Sequence, residues 1–386
     1  MWPPGFTVTR RGAPLLLPLW LAAACGGTDA QGPGAGGATG SASGGQDGGA
    51  GASGGVGGVG GGSGAGGADA GSDRASGPGG GAGSGRDVGG APADTQGPAG
   101  PDAEPGGETG AMAACSVCTS WGAPQALGKV AAGDLNALSG MAASWRNPGV
   151  IYVHNDHDQP VIYALGENAG LLARVTLSGV VGHDIEDMEV SRCPAGTCLF
   201  AADIGNNLSP RTEFGIFRAS EPAIAQGDVE RALTVPAERF AFRYGDAPHN
   251  AESLIIDPTT GAVYIVTKVA AGQPSAVYHL ETFDLGKVNL AVKIADLPVP
   301  APGDQPATAG TAQPCGAGFL LRTGNTLYEF RIPVGTPFAD AFHVTPIKVP
   351  AAVEQQSEAV TYQPDGRGYY TTSEGATPPL DRVSCR

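Results

Sequence analysis

From about residue 125 onward the chain alternates short apolar runs with turn residues. Val150-Ile-Tyr-Val, Val161-Ile-Tyr-Ala-Leu and Leu172-Ala-Arg-Val-Thr-Leu follow one another, separated by Gly, Asn, Asp and Pro. The runs are rich in β-branched and aromatic residues, and no long stretch carries a helical period. This pattern predicts an all-β chain. It also repeats. Asn-Ala-Glu252-Ser-Leu-Ile-Ile-Asp-Pro258 is answered by Gln-Ser-Glu358-Ala-Val-Thr-Tyr-Gln-Pro364. Each then turns on glycine (Gly261, Gly366) into a second apolar strand. Further copies start at Ser139, Glu186 and Thr308, which makes the gaps 47, 66, 56 and 50 residues. One such interval holds a four-stranded blade, so the pattern predicts a five-bladed β-propeller over residues 112–386, with six blades as the alternative. The last repeat has only three strands before Arg386. A strand near Leu127 is expected to supply the fourth and close the ring.

The N-terminal part reads differently. Arg10 and Arg11 precede the apolar stretch 13–24, which ends Ala22-Ala23-Ala24-Cys25. This has the form of a signal peptide over residues 1–24. The stretch is short for a membrane span and holds Pro14 and Pro18. Cys25-Gly26-Gly27 resembles the lipobox of bacterial lipoproteins, which implies a lipid on Cys25. Gly26 after the cysteine is what that resemblance associates with the outer membrane of a Gram-negative cell. Residues 26–111 are Gly, Ala and Ser with scattered Pro and Asp and no aromatic side chain. Such a segment cannot bury enough surface to offset chain entropy, and is expected to be a disordered tether with a typical span of about 50 Å.

The formal charge is −15. Setting aside −7 on the tether and +2 on the leader leaves −10 on residues 112–386. An acidic domain without a basic stripe argues against nucleic acid and anionic lipid as partners, leaving a small polar ligand, a cation or a cell-surface component. The only membrane contact expected is through the lipid, and the domain is read as a monomer. Six cysteines follow Cys25, an even number that implies disulfides in an exported chain. Cys193 and Cys198 flank a turn and should bridge locally. Cys115, Cys118, Cys315 and Cys385 allow three pairings.

In a propeller the first strand of each blade lines the central channel. Ser139, Glu186, Glu252, Thr308 and Glu358 should then form one ring around the axis. Carboxylates crowded there repel, so either some are protonated or a cation sits among them. Oxygen donors of this kind suit a hard cation, and Ca²⁺ tolerates their variable geometry. The order Ser, Glu, Glu, Ser/Thr, Glu resembles the five-bladed calcium-dependent apyrases, which hold Ca²⁺ on the axis with that set. The phrases Leu-Ser-Gly-Met-Ala, Val-His-Asn-Asp, Asp-Ile-Glu-Asp-Met, Ala-Asp-Ile-Gly-Asn-Asn and Tyr-Tyr-Thr-Thr-Ser-Glu-Gly resemble a group of exported bacterial propellers loosely related to phytase- and esterase-like ones. The resemblance spans residues 125–386. Ala137 and Asn206 stand where that group tends to have Glu and Asp.

A second set lies at the ends of the second strands: His154, Asn155, Asp156, Asp203, Asn206, Asn207, Lys268, Arg322 and Glu374. These are expected to rim a polar funnel above the ring, or else to satisfy turn backbones. Lys268 and Arg322 have the chemistry to grip a phosphate or carboxylate, and His154 or Asp203 that of a general base on a metal-bound water. No nucleophile elbow, phosphate loop or His-Glu-x-x-His pattern is present. Two functions follow as expectations. One is an envelope binding or scaffold module with an axial calcium. The other is a calcium-dependent hydrolase of phosphate or carboxylic esters.

Overall fold

A computed structural model describes residues 115–156, 159–207, 210–375 and 377–386. The expected signal peptide over residues 1–24, the expected lipid anchor at Cys25 and the expected tether over 26–111 lie outside the described residues. Within them the protein is an all-β propeller. β1 (Gln125–Lys129) comes first and is used last. β2 (Leu138–Ala143), β3 (Val150–Asn155), β4 (Val161–Gly166) and β5 (Leu171–Ser178) form an antiparallel group. β6 (Ile185–Cys193), β7 (Gly196–Asp203), β8 (Phe214–Ser220) and β9 (Arg231–Tyr244) form the next. The pattern repeats in β10 (Ala251–Ile256), β11 (Val263–Thr267), β12 (Ser275–Leu280) and β13 (Asn289–Leu297). It repeats again in β14 (Ala307–Ala312), β15 (Gly318–Thr323), β16 (Leu327–Arg331) and β17 (Ile347–Val349). β18 (Ser357–Tyr362), β19 (Gly368–Ser373) and β20 (Pro379–Ser384) then take β1 as their outer strand. First strands contact in cyclic order: β2 with β6, β6 with β10, β10 with β14, β14 with β18, and β18 with β2.

The apolar runs explain this closure. A strand between two neighbouring sheets has both faces buried, so alternate side chains serve different neighbours. On β7, Leu199 and Ala201 pack towards β2–β5. Phe200 and Ala202, in between, pack with β10–β13. On β15, Phe319 and Leu321 face β10–β13, whereas Leu320 faces β18–β20. Among the described residues each sheet shares one apolar core with the sheet on either side. A 3-10 helix, Phe338–His343, plugs the outer end of one of them with Phe338 and Phe342.

β9 is longer than the pattern predicts. Only Phe240–Tyr244 reads as strand in the sequence, yet the element begins at Arg231. Its first half pairs in parallel with β5, its second half pairs antiparallel with β8, and its last residues pair in parallel with β13. One strand thus covers the outer edges of three sheets, which removes exposed pairing edges. The expected hairpin bridge forms between Cys193 and Cys198. The other cysteines pair Cys115–Cys315 and Cys118–Cys385, tying the segment before β1 to the loop after β14 and to the C-terminus.

Candidate functional site

Every expected ring residue occupies the same irregularity. The pairing of β2 with β3 skips between Leu138 and Met141, where Ser139 lies. It skips at Glu186 in β6, Glu252 in β10, Thr308 in β14 and Glu358 in β18. A β-bulge inserts one residue without a partner and re-aims its side chain. Here it turns five first-strand residues away from the sheet. Two of them use their hydroxyl as a tie to the neighbouring strand. Ser139 Oγ donates to the Glu186 carbonyl (2.6 Å), and Thr308 Oγ1 donates to the Ser357 carbonyl (3.2 Å).

The bulges open into a small polar cavity of about 130 Å³. Ser139, Glu186, Glu252 and Glu358 line it; Thr308 does not. Asp156, Asn207, Lys268 and Glu374 complete the wall with Gln356, as the strand-end reading expected for the first four. Among the described lining residues, five carboxyl side chains therefore share the funnel with one lysine. Burial pushes the Glu186 carboxyl up to about 10, with Glu252 and Asp156 adding repulsion. Burial and Glu252 push Glu358 up to about 8. Glu252 reaches only about 7, because burial is opposed by the Lys268 ammonium paired with it. Burial pulls Lys268 down, but Glu252, Glu358 and Glu186 outweigh it and leave the pKa above its ordinary value.

The other expected site residues stand elsewhere, each for a visible reason. His154 is buried with both ring nitrogens in use: Nε2 accepts from the Gly140 N–H (3.1 Å) and Nδ1 faces the Asn155 carbonyl (2.9 Å). Burial drives its pKa down to about 4, so it is a neutral packing group away from the cavity wall. Asp203 pairs with Arg211 and accepts the N–H groups of His183 and Asp184, shaping the turn into β6. Arg322, 1 % exposed, is locked against Glu354 (2.7 Å), whose other oxygen accepts from Thr371. Asn155 holds the backbone of residues 134–137, and Asn206 bridges Asn250 and Arg211. These correct the expectation that the whole second set rims the funnel.

Below the bulges the axis is filled. Asp187 accepts the N–H groups of Met188 and, from two other first strands, Leu254 (2.8 Å) and Gly310 (3.0 Å). Glu189 accepts from the Ala312 N–H (3.0 Å) and Thr311 Oγ1 (3.3 Å). Burial holds both carboxyls well above their ordinary range. The funnel is thus a cup with a polar floor.

Sequence reasoning passed over Asp184. Its carboxylate lies with those of Asp156 and Glu186, all three within 4.8 Å of one another. Asp184 stands just ahead of β6 and the bulge at Glu186 breaks the strand alternation, so the only available signal was its place two residues before a ring position. Gly205 makes room, since a Cβ there would fall on both carboxylates. This group, with a buried Glu186 oxygen that has no hydrogen-bond partner, fits a hard metal ion in donor type.

No family model matches the chain, and no curated protein matches it. Among solved structures, a gluconolactonase from Xanthomonas campestris is similar, with a TM-score of 0.40 and 11 % identity over 68 % of this chain and 89 % of that one. At that score the likeness says nothing of the site. The resemblance of the repeat order to calcium-dependent apyrases has no counterpart in a family match.

Proposed function

We propose that this is a lipid-anchored envelope propeller whose acidic funnel holds a divalent cation, calcium, and uses it to bind a small polar ligand or cell-surface component. The carrying observation is the Glu186 oxygen: buried, without a hydrogen-bond partner, and grouped with two more carboxylates. Crowded buried carboxylates are unfavourable unless protonated or neutralised, and a divalent cation offsets them at neutral pH. The cavity's 130 Å³ holds an ion and a few waters, well below the roughly 300 Å³ at which enclosed organic-ligand sites begin. A larger ligand would touch the cup at its mouth, where Lys268, paired with Glu252 but 31 % exposed, is the cation among the described lining residues.

A binding role is favoured over catalysis because His154, Asp203 and Arg322 are committed to internal partners. One observation supports the second reading, a calcium-dependent hydrolase of phosphate or carboxylic esters. Glu252 and Glu358 stand together on the wall of the same cavity, where burial raises both carboxyls above their ordinary range, the kind of group that serves as a general acid or base.

Thermal melts of the chelator-stripped chain, with and without added calcium, test the cation. Occupancy at a hundredfold excess over Kd is worth about 2.7 kcal/mol, so Tm should rise by several degrees. A Tm indifferent to both calcium and chelator rejects the reading. A nucleotide, phytate and ester panel run alongside decides between the two roles, since only the hydrolase predicts turnover that chelation abolishes.

A further inference from the structure

The ring of bulged residues looks like the natural seat for a cation, but it already contains one. Lys268 Nζ is paired with Glu252, and its charge is felt by Glu358 and Glu186 from two other sheets. Lys268 is the residue directly after β11, and its N–H donates to the Asn250 carbonyl (3.0 Å). Its side chain thus leaves an anchored strand end and stays 31 % exposed, leaning over the cup rather than pointing into solvent.

The opposite wall differs. Asp156 follows β3 in the first sheet; Asp184 and Glu186 enter and begin β6 in the second. Their carboxylate oxygens converge to within 4.8 Å. Neither Asp184 nor Glu186 has an ion pair with Lys, Arg or His among the described residues. The nearby Arg211 is spent on Asp203 and the Gly205 carbonyl. Glu186, 2 % exposed, aims an oxygen without a hydrogen-bond partner into this group. Gly205 lets the backbone pass close beside it.

Building on the cation reading above, we infer that Lys268 is the resident cation of the axial ring, and that the divalent ion sits off the axis on Asp156, Asp184 and Glu186, between the first two sheets. The ammonium satisfies Glu252 and screens Glu358, so the ring no longer offers three free carboxylates. In the off-axis group neither Asp184 nor Glu186 has an ion pair among the described residues, and Lys268 reaches Glu186 only through its longer-range charge. This group is the better seat for a hard cation with water completing its shell. Lys268 also sets the stoichiometry at one ion, because a second divalent ion on the axis would have to displace it.

Calcium binding to the full-length chain, followed by calorimetry and by metal content after dialysis, tests this. Wild type should bind one equivalent. Asp184→Asn removes a charged donor and should weaken binding roughly tenfold or more. Lys268→Met frees the ring and should add a second equivalent, which Glu252→Gln in the same background should remove again. Lys268→Gln reads the same outcome if near-ultraviolet dichroism shows that the methionine variant does not fold. Unchanged affinity in Asp184→Asn, or one unaltered equivalent in the folded Lys268 variants, overturns the inference while leaving the cation reading standing. A wild-type chain that binds no calcium rejects the cation reading itself.

Discussion

His154 shows how far a residue's chemistry depends on its surroundings. In sequence it stands in His-Asn-Asp at a strand end and has the appearance of a base. In the fold it is enclosed, and its two nitrogens serve Gly140 and Asn155. Its pKa near 4, against an ordinary value of about 6.5, has a consequence for stability. Above pH 6.5 both folded and unfolded chains carry it neutral, and it makes no difference. As pH falls from 6.5 towards 4 the unfolded chain takes up a proton that the folded one refuses. Stability is therefore lost in that window, by at most about 1.4 kcal/mol per pH unit from this group. Urea midpoints at pH 7 and pH 5 should fall more steeply in wild type than in His154→Gln. Equal slopes would mean the ring is not held neutral. Residue identity made the strand-end polars visible as a set. It could not separate Asp156, Asn207, Lys268 and Glu374, which line the cup, from His154, Asp203 and Arg322, which do not. That distinction rests on partners far away in sequence, such as Glu354 for Arg322.

At the scale of elements, the bulge is the recurring device. A one-residue insertion at the top of each first strand converts a sheet position into an axial one, and the glutamates, serine and threonine of the repeats occupy it. Just below, Asp187 binds β6 to β10 and β14 through backbone N–H groups. Asp187→Ala would leave the Met188, Leu254 and Gly310 donors without an acceptor. Each such buried donor costs about 1–3 kcal/mol, so a loss of about 3 kcal/mol or more is expected in urea unfolding. Asp187→Asn, which keeps one acceptor oxygen, should lose less. A near-wild-type Asp187→Ala would show that the first strands do not depend on this tie. The repeat spacing made the first strands legible; the extent of β9 was not. Its residues 231–236 place Leu233 and Val235 at alternate positions, but they lie on an outer edge and their partner β5 is some sixty residues upstream, so the local pattern does not show what they pair with.

For the whole molecule, closure is what the local pattern can only suggest. β1 completes the sheet of β18–β20, so the two ends of the domain are held by one ladder and by the Cys118–Cys385 bridge, 267 residues apart. A bridge across so long a loop restricts the unfolded chain strongly. Cys118→Ser with Cys385→Ser is expected to cost roughly 2–5 kcal/mol. The Cys193–Cys198 bridge spans 5 residues, and its removal should cost less. Melting temperatures of the two double variants under oxidising conditions check the order; the reverse order would mean that the β1 ladder alone closes the ring.

The sequence by itself determined the β class, the repeat, the first strands and the residues at their starts. These are local matters: side-chain period, turn chemistry and spacing all act within a few tens of residues. Only the tertiary structure decided the pairing of the four remaining cysteines, the reach of β9 and the partition of the polar residues between cup and scaffold. It also decided that Lys268 meets Glu252 while Asp184 joins Asp156 and Glu186. Those outcomes depend on distances and desolvation between segments that come together only when the ring closes, and no pattern along one strand records them.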